Sequence, residues 1–197
     1  MTHLFYIHGF LSGPNAVKAT MLKEYLKEHN LGASFDMHSP DYPDPPEEAY
    51  NYLCGYFDRV FEEYKSDEVC LIGSSMGGFF STLMAQRHGC KAVLLNPCVH
   101  PQNYFKALIG PQFNSSTNRN FELKSEMIDV LKSLDASVKV EPKKTYVIIG
   151  DQDEVLDYSF ALELYKDCHI DIIKGEDHAF THDFASLIKP ILDYAAS

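Results

Sequence analysis

The segment Val69-Cys70-Leu71-Ile72-Gly73-Ser74-Ser75-Met76-Gly77-Gly78 passes from an apolar run into a cluster of small residues. The apolar run reads as a buried strand, and the residues after it, Met76 to about Arg87, read as a helix. Between them lies G-x-S-x-G with Ser75 at its centre. On so tight a strand-to-helix turn, side chains two places either side of the serine would collide with their neighbours, so small residues are needed there. The turn lifts the hydroxyl clear of the sheet. The helix that follows aims its first N–H groups at any negative charge developing nearby. Gly78 lets that helix pack close to its neighbours. Ser75 is therefore the candidate nucleophile.

Outward from this point, apolar runs alternate with helical patterns, the signature of a parallel α/β sheet. Leu4 to Ile7 is the first strand, followed by a helix with Val17, Met21, Leu22, Tyr25 and Leu26 on its apolar face. Ser34 to Met37 is the next strand, ended by Pro40, Pro43, Pro45 and Pro46. From Glu47 to Tyr64, apolar residues recur at helical spacing, an aromatic-rich stripe suited to core packing. Later strands are Ala92 to Leu95, Thr145 to Ile149 and His169 to Ile173. A last helix starts near His182, with Pro190 expected to kink or divide it. Residues 97–144 break the alternation. They carry a polar segment, Asn114 to Asn120, expected to be a mobile loop, and then a helical pattern from Leu123 to Leu134. The expectation is a single domain, 1–197, with 97–144 as crossover and cap insertion.

Composition narrows the function. At 197 residues and 45% hydrophobic, the chain is long enough to bury a substantial core. A net charge of −11 argues against nucleic acid as a partner, because neutralising phosphates needs clustered Lys and Arg. Five cysteines without a C-x-x-C do not form a disulfide framework. No apolar stretch approaches the roughly 20 residues of a membrane span, and no signal peptide is apparent. A cytoplasmic enzyme fits these features.

A serine is inert until a base takes its proton, and an acid must hold that base in one tautomer. Both partners are available in loops at the carboxyl ends of later strands, on the rim that carries Ser75. Gly150-Asp151-Gln152-Asp153-Glu154-Val155 supplies the acid and Gly175-Glu176-Asp177-His178-Ala179-Phe180 the base. Asp153 is favoured by its place three residues after Gly150, with Val155 expected to anchor the loop. Asp151 is expected to turn the loop, Glu154 to point away from Asp153, and Asp157 to cap the next helix. The base must be neutral to act, so activity should fall on acidification. A reacting carbonyl also needs two N–H donors for its oxygen. Met76, after the nucleophile, supplies one, and Phe10, in the loop His8-Gly9-Phe10-Leu11-Ser12-Gly13, is chosen for the other. Gly9 is expected to allow a sharp turn and His8 to shape the loop. A metal site from His178, His182 and Asp183 lacks the H-E-x-x-H pattern. A calcium loop from Asp151 and Asp153 fails at Val155.

These blocks together resemble the YqiA-like esterases, a small bacterial family of α/β-hydrolases. The resemblance rests on LFYIHGF at the start, LIGSSMGG at the elbow, LLNPCVHP after the next strand, DEVLDY in the acid loop and GEDHAF around the histidine. It implies a compact α/β-hydrolase fold of about six mainly parallel strands, with helices on both faces and two leading antiparallel strands missing. It also implies a serine esterase or thioesterase acting on small-molecule acyl esters or thioesters, acyl-CoA among them, with no metal and no organic cofactor. By motif position it assigns the nucleophile to Ser75, the acid to Asp153 and the base to His178. An acyltransferase would use the same residues. A catalytically silent binding protein could keep the same fold.

Overall fold

A computed structural model describes all residues, 1–197. Six parallel strands form one sheet: β1 (Thr2–Ile7), β2 (Phe35–His38), β3 (Val69–Ser74), β4 (Lys91–Leu95), β7 (Thr145–Gly150) and β8 (His169–Ile173). Their order across the sheet is β2-β1-β3-β4-β7-β8. The four central strands, β1, β3, β4 and β7, read as near-continuous apolar runs because helices cover both faces. On one face α1 (Val17–Glu28) and α7 (Phe184–Ala196) close a core of Leu4, Ile72, Val93, Ile148 and Ile191. On the other, α2 (Pro46–Glu63), α3 (Met76–His88), α5 (Ser125–Ala136) and α6 (Ser159–Leu164) pack over Phe5, Leu71, Leu94 and Val147. The odd and even residues of each strand thus serve two separate cores.

The sheet and its helices follow the sequence expectation closely, and local differences have physical causes. Val17 opens α1 but is exposed, and Ala19 takes the buried position with Leu22 and Leu26. α7 runs unbroken through Pro190; Ile188, Ile191 and Leu192 bury its apolar side on the sheet, which outweighs the lost N–H. The largest correction is at residues 114–120. They are not a loose loop but the tip of an antiparallel hairpin, β5 (Gly110–Asn114) and β6 (Arg119–Leu123). Asn114 and Arg119 tie it to its own turn and to the body of the protein. Asn114 Oδ1 accepts from the Ser116 and Thr117 N–H groups at 3.0 and 3.3 Å, the local turn bonding this residue type favours. Asn114 Nδ2 donates to Ser12 O at 2.8 Å and to Asp44 Oδ1 at 2.7 Å. Arg119 forks onto both carboxylate oxygens of Asp41. Leu123 consequently ends a strand, and α5 begins at Ser125. Between β4 and the hairpin, α4 (Pro101–Phe105) brings Tyr104 and Phe105 to the rim above the elbow.

Candidate active site

Ser75 sits between β3 and α3 with φ 56° and ψ −119°, a backbone state that a serine rarely adopts. Its neighbours show why the turn needs glycine. A Cβ on Gly73 would stand 2.4 Å from Gly77 O, and one on Gly77 would stand 2.0 Å from Ile7 O. On Gly78 a Cβ would stand 2.9 Å from the Pro97 backbone. The elbow is held in place by Ser75 N–H donating to Leu95 O at 3.0 Å and Cys98 N–H donating to Ser75 O at 2.9 Å.

Across the rim, the loop after β8 brings His178 Nε2 to 3.0 Å from Ser75 Oγ. His178 Nδ1 lies 2.8 Å from Asp153 Oδ2, in the loop after β7. The other Asp153 oxygen accepts from the Val155 and Leu156 N–H groups at 2.9 and 2.8 Å. The Asp153 side chain is 1% exposed and that of His178 18%. A buried carboxylate with every oxygen engaged keeps its orientation, while the imidazole stays open to a reactant. Leu156, not Val155, anchors this loop, because Leu156 is buried and Val155 exposed.

Of the neighbouring acids, Asp157 takes the expected place at the next helix, while Asp151 and Glu154 make contacts the sequence did not suggest. Asp151 Oδ1 accepts from the Gly175 N–H at 2.6 Å and so ties the acid loop to the base loop. Glu154, expected only to point away from Asp153, also reaches the base loop. Its carboxylate accepts the His178 N–H at 3.1 Å. Asp157 Oδ1 accepts the Ser159 N–H at 3.0 Å, at the start of α6. Glu176 is buried, and its carboxylate accepts the Asp183 and His182 N–H groups at 2.6 and 3.3 Å.

Asn96 escaped the sequence reading. It is buried, stands directly after β4, and holds a left-handed φ of 41°. Its Oδ1 accepts the Gly150 N–H at 2.8 Å, and its Nδ2 donates to Asp177 O and His178 O at 3.1 and 3.0 Å. One side chain therefore joins the roots of the acid and base loops. Its signal was its place at the carboxyl end of a central strand in LLNPCVHP.

The loop after β1 lies beside Ser75. Phe10 N–H donates to no other backbone group. Met76 opens α3, where an N–H has no intrahelical acceptor. Phe10, Ser75, Met76 and His178 line one cleft of about 1120 Å³. Gly9 does not need its glycine for a turn. A Cβ there would meet Ser75 Cβ at 3.5 Å, an ordinary contact, and the positive φ in this loop belongs to Leu11. His8 is buried, stacked on Tyr42 at 4.1 Å, with Nδ1 2.9 Å from Gly9 O. The Tyr42 hydroxyl donates to His8 O. Burial pulls the His8 imidazole below its ordinary value. Cys98 lines the same cleft, but burial pushes its thiol up to about 12, so it is no rival nucleophile.

Lys18 lines the cleft beside the base loop. Its Nζ donates to Ala179 O at 2.7 Å and lies 5.9 Å from the Phe180 ring centre. Burial lowers its ammonium, with Asp177 and Glu176 opposing the shift. The apolar part of the cleft includes Phe10, Tyr104, Phe105, Leu108 and Leu156.

Solved structures share this architecture. Est1E from Butyrivibrio proteoclasticus, seen with ferulic acid bound, superposes with a TM-score of 0.73 at 17% identity, covering 98% of this chain and 88% of that one. A putative hydrolase from Agrobacterium vitis S4 gives 0.74 at 13% identity, with 98% and 88% covered. Mouse alpha/beta hydrolase domain-containing protein 10 gives 0.72 at 17%, with 97% and 88% covered. At these identities the likeness establishes the α/β-hydrolase fold. The model of the uncharacterised protein family UPF0227, the YqiA-like family, matches residues 3–196, nearly the whole chain, and this protein belongs to that family.

Proposed function

We propose that this protein is a serine hydrolase that cleaves carboxylic esters or acyl thioesters of small molecules through a covalent acyl-enzyme. The supporting observation is the unbroken chain from Ser75 Oγ through His178 to Asp153, at 3.0 and 2.8 Å, built on a strained elbow. Ser75 Oγ attacks the acyl carbon while His178 Nε2 takes its proton. Asp153 holds the Nδ1–H tautomer and stabilises the imidazolium that forms. The Phe10 and Met76 N–H groups receive the oxyanion, each such donor typically worth about 3 kcal/mol of barrier. His178 then protonates the leaving alcohol or thiol, and water attacks the acyl-enzyme by the same route. The apolar lining from Phe10, Phe105 and Leu108 suits an acyl or aromatic acid part. The hairpin β5–β6 and α4 act as the cap. Five free cysteines suit a reducing, cytoplasmic setting.

Labelling by a fluorophosphonate probe and turnover of a short p-nitrophenyl ester test this directly. The wild type should do both, and Ser75→Ala should do neither while unfolding at the same temperature. A wild type that neither labels nor turns over would instead be a silent binding protein. Turnover by a pure Ser75→Ala sample would displace Ser75 as nucleophile.

A further inference from the structure

A second cluster of ligating side chains lies on the sheet edge, away from the Ser75 rim. His3 on β1 is the register partner of Asp36 on β2, and His38 stands two residues beyond Asp36 on the same face. The three can each offer one atom, and these atoms all lie within 4.8 Å of one another. His3 Nδ1 is 3.5 Å from Asp36 Oδ2, and His38 Nε2 is 2.7 Å from the same oxygen. Along β1 the cluster begins about 13 Å before the end of the strand, at the opposite end from the elbow.

Three observations set this cluster apart from a chance gathering. The first is that His3 Nδ1 is buried without any hydrogen-bond partner, although its ring is packed and only 12% of the side chain is exposed. A buried ring nitrogen without a partner is costly, and a ligand would relieve that cost. The second is preorganisation. The His3 ring stacks on Tyr64 at 3.7 Å and the His38 ring on Phe5 at 4.8 Å, so both rings are fixed before any ion arrives. The third is spacing. Ligand atoms of a tetrahedral zinc ion, with bonds of about 2.0–2.2 Å, stand about 3.3–3.6 Å apart. The His3–Asp36 pair already has that separation, and the hydrogen-bonded His38–Asp36 pair need only open by about 0.6 Å to reach it.

The cluster Glu176, Asp177 and His182 lacks the first of these features. Glu176 already accepts two backbone N–H groups, and Asp177 accepts from the Thr181 N–H and hydroxyl. No buried side-chain atom there is left without a partner, and the His182 ring is open to solvent.

We propose that His3, Asp36 and His38 bind one Zn²⁺ ion, with water in the fourth position, as a structural staple between β1 and the edge strand β2. Two imidazoles and one carboxylate suit zinc in charge and softness. Asp36 and His38 are partly exposed, which leaves an entry path and room for the water. β2 is four residues long and pairs only with β1, so a metal bridge would add a cross-link at the shortest strand of the sheet. The chain leaving β2 carries Tyr42, which supports the His8 carbonyl beside Ser75. The staple would steady that support without entering the chemistry.

The test uses the full chain freed of metal by a chelator and needs no enzymatic activity. Calorimetric titration with Zn²⁺ should give one equivalent, and saturation should raise Tm by about 5 °C or more. Co²⁺ should give the intense visible bands of a low-coordinate ion. Asp36→Asn and His38→Ala should each weaken binding at least about tenfold, and His182→Ala should leave it unchanged. Both altered positions are partly exposed, and His3→Gln gives a third variant should either unfold. Absence of binding, an unchanged Tm, or binding that survives the Asp36, His38 and His3 variants would overturn the proposal.

Discussion

Asp153 and Asn96 show how a single residue controls the rim. Asp153 Oδ1 is saturated by two N–H groups, which leaves Oδ2 for His178 alone. Asp153→Asn preserves the shape but favours the wrong tautomer of the base. We expect kcat for a short ester to fall at least about 10²-fold, against less than about tenfold for Asp157→Asn, which lies at the start of α6. Steady-state kinetics on both variants checks this, and equal losses would remove Asp153 from its role. Asn96→Ala would strand the buried Gly150 N–H and free two carbonyls in the base loop. Each unsatisfied buried group costs about 1–3 kcal/mol, so Tm should drop by about 5 °C or more. Because both loops lose their common anchor, kcat should fall more than KM rises. A variant with wild-type kcat and the same Tm would show that Asn96 anchors nothing.

At the scale of elements, the close approach of β1, β3 and α3 fixes the elbow. Gly77 lies against Ile7 O and His8 O of the neighbouring strand end, where a Cβ would stand 2.0 and 2.4 Å away. Gly77→Ala must push α3 off β1, at a cost of about 3 kcal/mol or more. Thermal unfolding should show a loss of about 6–12 °C. The same shift would carry Ser75 away from His178, so residual folded protein should label poorly with a fluorophosphonate. An alanine variant as stable as the wild type would contradict the packing described. The elbow was legible in the sequence because its glycines answer local steric demands. The hairpin β5–β6 was not. Its polar residues resemble a loop in composition, and only the distant partners Ser12, Asp41 and Asp44 give them fixed places.

At the scale of the whole molecule, His8 links folding to pH. Burial lowers its folded value below the ordinary one, while Gly9 O, Asp44 and Asp41 oppose the shift and Arg119 adds to it. In the unfolded chain His8 titrates near the usual value of about 6.5. The unfolded state therefore binds the extra proton first as pH falls. The stability contributed by a neutral, buried His8 is present in full above about pH 6.5 and is lost as pH drops from there through the depressed folded value. His8→Gln should be less stable than the wild type at pH 7.5, and the difference should narrow by pH 5. Denaturant titrations at both pH values measure it, and a gap that widens on acidification would reverse the sign.

The alternation of apolar runs and helical periods determined the parallel sheet and its two-sided core, since burial on both faces leaves that pattern in each segment alone. It also marked Ser75, Asp153 and His178, because each stands at a strand's carboxyl end beside residues that local turn chemistry requires. The tertiary structure decided what depends on strand order and register. It set Asn96 across β4, β7 and β8, turned Glu154 toward the His178 N–H, and gathered His3, Asp36 and His38 on one edge. Such contacts join residues far apart in the chain, and the period of a sequence records which face a side chain takes but not which distant residue it meets there.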